Sequence, residues 1–291
     1  MRRRLFCALC LVLALCLPAA AAPLRVFVPI PPLTYLAERV GGNRVAVSVL
    51  VPPGADPHTF EPRPRLMAEL AGAKGCFTIG MPFEKTLLDR ILPTTPTLTV
   101  FPADRGIPRI SMEEHPHEDE KAEAGHPHEE GLDPHIWLSP RNGLKIVRNL
   151  RDGLISLDPA GAATYRRNAE ALSVEIRALD RELTSLFAPR KGMALLVFHP
   201  AWGYFCRDYG LHQVAVEVEG KEPKPAQMKA LIDRGRELKV KVLFLQPQIS
   251  ARSAATLAEA LNARVVKADP LAEDWLGNLR RQARIFREAL D

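Results

Sequence analysis

The sequence predicts an α/β fold of two similar βα-repeat, Rossmann-like lobes with parallel sheets, joined by one long rigid helix. Two observations lead there. Short β-branched or apolar runs alternate with helical stretches in two separate blocks, and one unbroken helical stripe lies between the blocks. Alternation at this spacing is the mark of βα units on a parallel sheet. With 291 residues, 47% of them hydrophobic, the chain can bury one large core or two modest ones.

The first residues stand outside this pattern. Arg2, Arg3 and Arg4 precede an apolar run from Leu5 to Leu17 and the small residues Ala19 to Ala22. That order is the order of a secretory signal peptide, so residues 1–22 are read as a cleaved leader and the mature chain as periplasmic. The alternative, an uncleaved membrane anchor, calls for a longer apolar run. Lipid attachment calls for a small residue before a Cys, and Cys10 and Cys16 each follow a Leu.

In the first block, Leu24 to Val28, Val45 to Val51, Cys76 to Ile79 and Leu98 to Val100 read as strands. Helices fit near 33–41, 64–72 and 83–91. Asp158-Pro159 then offers an N-cap and a first-turn proline. From there Tyr165, Ala169, Leu172, Ile176, Leu179, Leu183 and Leu186 recur at four- and three-residue steps, one apolar stripe on a helix over about 159–187. In the second block, Ala194 to Phe198, Val214 to Val218, Val242 to Leu245 and Arg264 to Val266 read as strands. Helices fit near 201–209, 225–238, 251–262 and 274–289. The lobes are therefore expected at 23–140 and 190–291, with a helical segment at 141–189.

Residues 112–130, MEEHPHEDEKAEAGHPHEE, fit neither lobe. They hold almost no apolar side chains and are expected to form a disordered acidic loop.

Composition narrows the function. Without the three leader arginines the formal charge falls from +5 to +2. No basic patch interleaved with aromatics appears, which argues against nucleic acid as a partner. Of five Cys, three lie in the leader; Cys76 and Cys206 are read as two separate buried thiols, with pairing left open.

Histidine carries the chemistry. Four of the eight, His115, His117, His126 and His128, form two His-Pro-His units in the acidic loop. Imidazoles among carboxylates bind zinc and its neighbours, here as weak auxiliary sites. The other sharp signals are spread along the chain. Asp56-Pro57-His58 follows the second strand, Asp133-Pro134-His135 follows the loop, His199-Pro200 follows a strand of the second lobe, and Asp269-Pro270 follows the last strand. Ligands of open α/β sheets bind beyond the carboxyl ends of strands, so a cleft between lobes could unite the four. Taken singly, each has a plainer explanation as a hydrogen-bonded His or a turn Asp. The recurring proline is expected to pre-orient each side chain, and backbone carbonyls to fix each His tautomer.

The stretches GADPHTFEP, LDPHIWLSP, FHPAWGYF, GKEPKPAQ, LQPQIS and VVKADPL occur in this order. Together they resemble the metal-binding solute-binding proteins of ABC importers, the cluster A-I group, over nearly all of the mature chain. The resemblance implies two lobes on a rigid helix, with the metal held between them by His58, His135, His199 and Asp269. It implies a monomer that delivers its ion to an ABC permease and its ATPase subunit. Zinc-type members tend to have His at the third position and a His-rich acidic loop, as this chain does, so Zn²⁺ is the expected transported ligand. Three imidazoles and one carboxylate suit tetrahedral zinc, whereas manganese favours more oxygen donors. Gln246 departs from the pattern, because relatives commonly carry Glu before that Pro.

Other readings share some of these features. A manganese- or iron-type binding protein, an adhesin or a metal buffer could use the same fold. A metallohydrolase would need an open metal position and a base, for which Glu217 and Glu219 are the candidates, and no His-Glu-x-x-His pattern is present. The sequence reading is therefore of a binding protein and not an enzyme.

Overall fold

The computed structural model describes residues 22–112, 131–217, 225–248 and 252–291. The leader up to residue 21, the four His of the acidic loop, Glu219 and most of GKEPKPAQ lie outside the described residues.

The first half builds β1 (Leu24–Val28), α1 (Pro31–Gly41), β2 (Val45–Val49), α2 (Pro64–Ala71), β3 (Gly75–Thr78), α3 (Pro82–Ile91) and β4 (Thr99–Pro102). Its four strands are parallel in the order β2-β1-β3-β4. Two helices follow, α4 (Pro140–Leu157) and α5 (Ala162–Phe187). The second half builds β5 (Ala194–Val197), α6 (Gly203–Tyr209), β6 (His212–Ala215), α7 (Pro225–Glu237), β7 (Val242–Leu245), α8 (Arg252–Leu261), β8 (Arg264–Lys267) and α9 (Trp275–Leu290). Its parallel sheet repeats the order as β6-β5-β7-β8. The expected two-lobe α/β architecture is present.

The stripe on α5 is buried as the periodicity predicts, with one change at its end. Tyr165, Ala169, Leu172, Ile176, Leu179 and Leu183 are buried, and Phe187 takes the last core position while Leu186 is only half-buried. At about 1.5 Å per residue, its 26 residues span ~39 Å. The helical run starts at the expected place, with Asp158 as N-cap and Pro159 in the first turn, but not as an α-helix. Residues 159–161 form a 3₁₀ turn, and the Asp158 side chain makes no cap bond. Instead it accepts from Arg44 Nε and Nη2 (2.8 and 3.0 Å) and from Tyr165 Oη (2.6 Å), which ties the helical segment to the first lobe.

Between the halves, α4 is a separate 18-residue helix. Ser139 Oγ accepts from Asn142 N at 3.0 Å to cap it, and Ile146, Val147, Leu150 and Leu154 bury its inner face against α5. The principal core runs without a break from the first sheet through α1, α4, α5 and α9 to one face of the second sheet. Successive residues of β5 separate the two faces of that sheet. Leu195 and Val197 join the principal core, whereas Leu196 joins a smaller cluster with Leu231 of α7 and Leu257 of α8. Cys76 and Cys206 are both buried thiols, as expected. Burial pushes the Cys76 thiol up to about 12, so it stays protonated and unreactive.

Candidate metal centre

Three Asp-Pro-x units fold alike. Asp56 Oδ1 accepts from His58 N (2.9 Å), Asp133 Oδ1 from His135 N (2.8 Å), and Asp269 Oδ1 from Leu271 N (2.9 Å). Each is an Asx turn, in which a short side chain bonds the backbone two residues on. The aspartate therefore shares with the proline the work of aiming the histidine. His199 is reached differently, directly beyond β5, where Ala201 N bonds back to His199 O at 2.8 Å.

These loops bring three imidazoles together. His135 Nε2 lies 3.2 Å from His58 Nε2 and 3.2 Å from His199 Nε2. The donor atoms of the three all lie within 4.8 Å of one another, and His135 and His199 are buried. Carboxylates fix two of the tautomers. His135 Nδ1–H donates to Asp133 Oδ1 at 2.8 Å, and His199 Nδ1–H donates to Glu217 Oε2 at 2.7 Å. Each ring then turns an Nε2 lone pair inward. The orienting partners are thus acidic side chains and not the backbone carbonyls expected from the sequence. Glu217 is itself buried and is held against His199 rather than standing in solvent as a base.

Asp269 is not in the three-histidine group. It is half-buried, and its Oδ1 also accepts from Gln248 Nε2 at 3.1 Å. Gln246, where the sequence departs from its pattern, is buried two residues before Gln248.

The nitrogen spacing fits zinc. Two nitrogens on a tetrahedral zinc at ~2.0–2.1 Å stand roughly 3.3 Å apart. The two 3.2 Å Nε2 separations match that spacing.

The family model described as zinc-uptake complex component A, periplasmic (ZnuA), matches residues 26–289. The chain belongs to the ZnuA family. A crystal structure of ZnuA shares 35% identity, with a TM-score of 0.84 over 92% of this chain and all of that one. A ZnuA deletion mutant with zinc bound is similar at 35% identity and a TM-score of 0.83, over 92% of this chain and 98% of that one. The zinc-binding protein AdcA of Streptococcus pyogenes serotype M3 is 26% identical over 87% of this chain. The chain spans 51% of that relative, about half its length. A putative metal-binding protein of Treponema pallidum is 28% identical over 83% of this chain and 78% of its own.

Against this ZnuA frame, several supporting residues were not singled out from the sequence. Asp133 was read only as a neighbour of His135, although comparison of the two Asp-Pro-His units could have marked it. A Cβ on Gly203 would lie 2.6 Å from Asp133 Oδ2, so the glycine in FHPAWGYF makes room for that carboxylate. Tyr204 Oη donates to Asp133 O at 3.0 Å, and Arg109 donates to the same carbonyl at 3.4 Å. Burial pushes the Asp133 carboxyl up to about 7, against the pull of the His135 N–H and the positive charge of Arg109. A cation on His135 would favour the carboxylate form.

Burial, reinforced by the neighbouring imidazoles, lowers His58 to about 3, and burial holds His135 well below its ordinary value. A base lowered in the fold leaves the unfolded chain binding more protons between about 3 and 6.5. Its contribution to stability is therefore complete above 6.5 and is lost as pH falls through that window. Thermal unfolding of the metal-free protein at pH 7.5 and pH 4.5 tests this. The parent should lose more stability on acidification than His58→Ala, and equal losses would contradict the assignment.

Proposed function

We propose that this chain is the extracytoplasmic zinc-capturing subunit of an ABC importer, a binding protein and not an enzyme. Its cargo is Zn²⁺, held by Nε2 of His58, His135 and His199 and by the Asp269 carboxylate. Its partners are a membrane permease and the attached ATPase, and it acts as a periplasmic monomer.

One observation carries this reading: the Nε2 lone pairs of His135 and His199, whose Nδ1–H groups are committed to carboxylates, face each other at 3.2 Å, with His58 Nε2 also 3.2 Å from His135. Such lone pairs repel in a weakly screened interior unless an electrophile sits between them. A proton is disfavoured, because burial lowers both His58 and His135. A borderline divalent cation that prefers nitrogen is the better occupant. With the Asp269 carboxylate as fourth donor the three imidazoles would close a tetrahedral site, whereas a catalytic zinc keeps a position open for water.

The two halves are joined by direct polar contacts as well as by helices. Ser139, which caps α4, hydrogen-bonds Asp208 on α6, and Tyr204 on α6 reaches Asp133 O. These contacts favour capture by small movements of the loops over wide closure of the lobes. His115, His117, His126 and His128 would gather the ion weakly before it reaches the cleft.

Equilibrium dialysis of the mature chain against zinc tests the site. Glu217→Ala removes the acceptor that orients His199 while leaving every proposed ligand in place. It should lower zinc affinity roughly 10–100-fold. Unchanged affinity would show that Glu217 does not set the His199 ring. Zinc uptake by membrane vesicles carrying the permease tests the partner: zinc-loaded protein should support it, and no uptake would remove the importer assignment.

A further inference from the structure

The loops bearing His135 and Asp269 are bound together by three hydrogen bonds, two of them buried. Trp137 Nε1 donates to Pro270 O at 2.8 Å. Trp275 Nε1 donates to Trp137 O at 2.6 Å. Asn278 Nδ2 donates to Asp269 O at 2.7 Å. Trp137 is fully buried, and Trp275 and Asn278 nearly so. The first turns of α9 therefore hold the backbone of both loops, through Trp275 on one and Asn278 on the other, while Trp137 closes the triangle. The Trp137 ring also packs on the His135 imidazole, with centroids 5.2 Å apart and planes tilted by 56°. On the far side, a Cβ at Gly143 of α4 would fall 2.4 Å from the Trp275 ring, so the indole is seated closely against that helix.

We infer that Trp137, Trp275 and Asn278 are positioning residues that fix the separation of His135 and Asp269, and thereby select an ion of tetrahedral preference. This inference rests on the proposed zinc site. A nitrogen and an oxygen donor on two loops far apart in sequence stay in register only if the loops cannot slide. A small ion with four short bonds tolerates such a frame, and a larger ion seeking more oxygen donors would need the loops to part. Two indole donors suit this task because their rings have few rotatable bonds and their N–H groups are committed to carbonyls in a dry setting.

Trp137→Phe keeps an aromatic ring on His135 and deletes the N–H. The full mature chain is assayed for zinc affinity by chelator competition, for the visible absorption of its Co²⁺ form, and for melting temperature without metal. Zinc affinity should fall roughly 10–100-fold, as when a support of a metal ligand is lost. The intense tetrahedral Co²⁺ bands should weaken, and the preference for zinc over manganese should narrow. Asn278→Ala, a smaller change at a second corner, should move the same readouts in the same direction and carries the test if Trp137→Phe does not fold. A lower melting temperature with parental affinity, Co²⁺ spectrum and selectivity in the folded variants would overturn the inference and leave the zinc site standing. If the parent itself binds no tight zinc that His199→Ala removes, the underlying site fails, and the clamp with it.

Discussion

His199→Ala is expected to lower zinc affinity beyond the roughly 10–100-fold that loss of a supporting residue costs. The substitution removes one of the two nitrogens that face His135 Nε2 at 3.2 Å, so the donor set falls from three imidazoles to two. It also strips the buried Glu217 carboxylate of its partner at 2.7 Å. An unpaired buried group costs about 1–3 kcal/mol, more when charged, so the metal-free variant should also melt earlier. The two effects separate experimentally. Chelator competition on folded protein reads the ligand, and thermal unfolding without metal reads the stranded carboxylate. A variant that melts earlier yet binds zinc like the parent would remove His199 from the donor set.

Glu84→Ala should produce the largest loss of stability. Glu84 is buried at the start of α3, and its carboxyl oxygens accept from Ile79 N (3.0 Å), Gly80 N (2.8 Å) and Met81 N (3.2 Å). Gly80 is exposed, so water can replace the carboxylate there; Ile79 and Met81 are buried and have no such recourse. Two stranded amides at about 1–3 kcal/mol each give a loss of several kcal/mol, a large part of the ~5–15 kcal/mol that holds a domain folded. Burial pushes the Glu84 carboxyl up to about 8 despite its three donors. A carboxyl raised in the fold stabilises most at low pH and less as pH climbs from 4.5 towards 8. The gap between parent and Glu84→Ala should therefore narrow over that range in chemical denaturation. A loss of under about 1 kcal/mol would mean that the amides find other acceptors.

The fold was largely legible because its strands and α5 carry simple periods. The seven-position stripe from Tyr165 reads directly as a helix face, and six of its members are buried as expected. As a distinct element α4 was harder to see, because Gly143 and Gly153 interrupt it as breakers would. In the structure they are contact points: a Cβ at Gly143 would meet Trp275, and one at Gly153 would meet Phe77 at 2.6 Å. Asp158 stands at the expected N-cap, yet its side chain is used elsewhere. Local sequence marks it as a cap, but Arg44, 114 positions earlier, takes its carboxylate.

At the site, the three histidines were legible from their motifs, since a His after an Asp-Pro turn or at a strand end is a local feature. Their supports were only partly so. The pairing of His199 with Glu217 spans 18 residues, and that of Trp137 with Pro270 spans 133. No local pattern encodes contacts at such separations. The expectation of backbone carbonyls as orienting partners missed Asp133, which stands in the motif only as a neighbour of His135. At His135 the same Asp133 oxygen both closes the turn and holds the ring.

The central claim is that one zinc per chain is held by the interlobe histidines with Asp269, independently of the acidic loop. The most direct test is a competition titration of Zn²⁺ against Mn²⁺ on the mature chain lacking residues 112–130, with bound metal counted by mass spectrometry. One tightly held zinc per chain, not displaced by excess manganese, is the predicted result. Loss of tight binding with the loop, or a preference for manganese, would contradict the account.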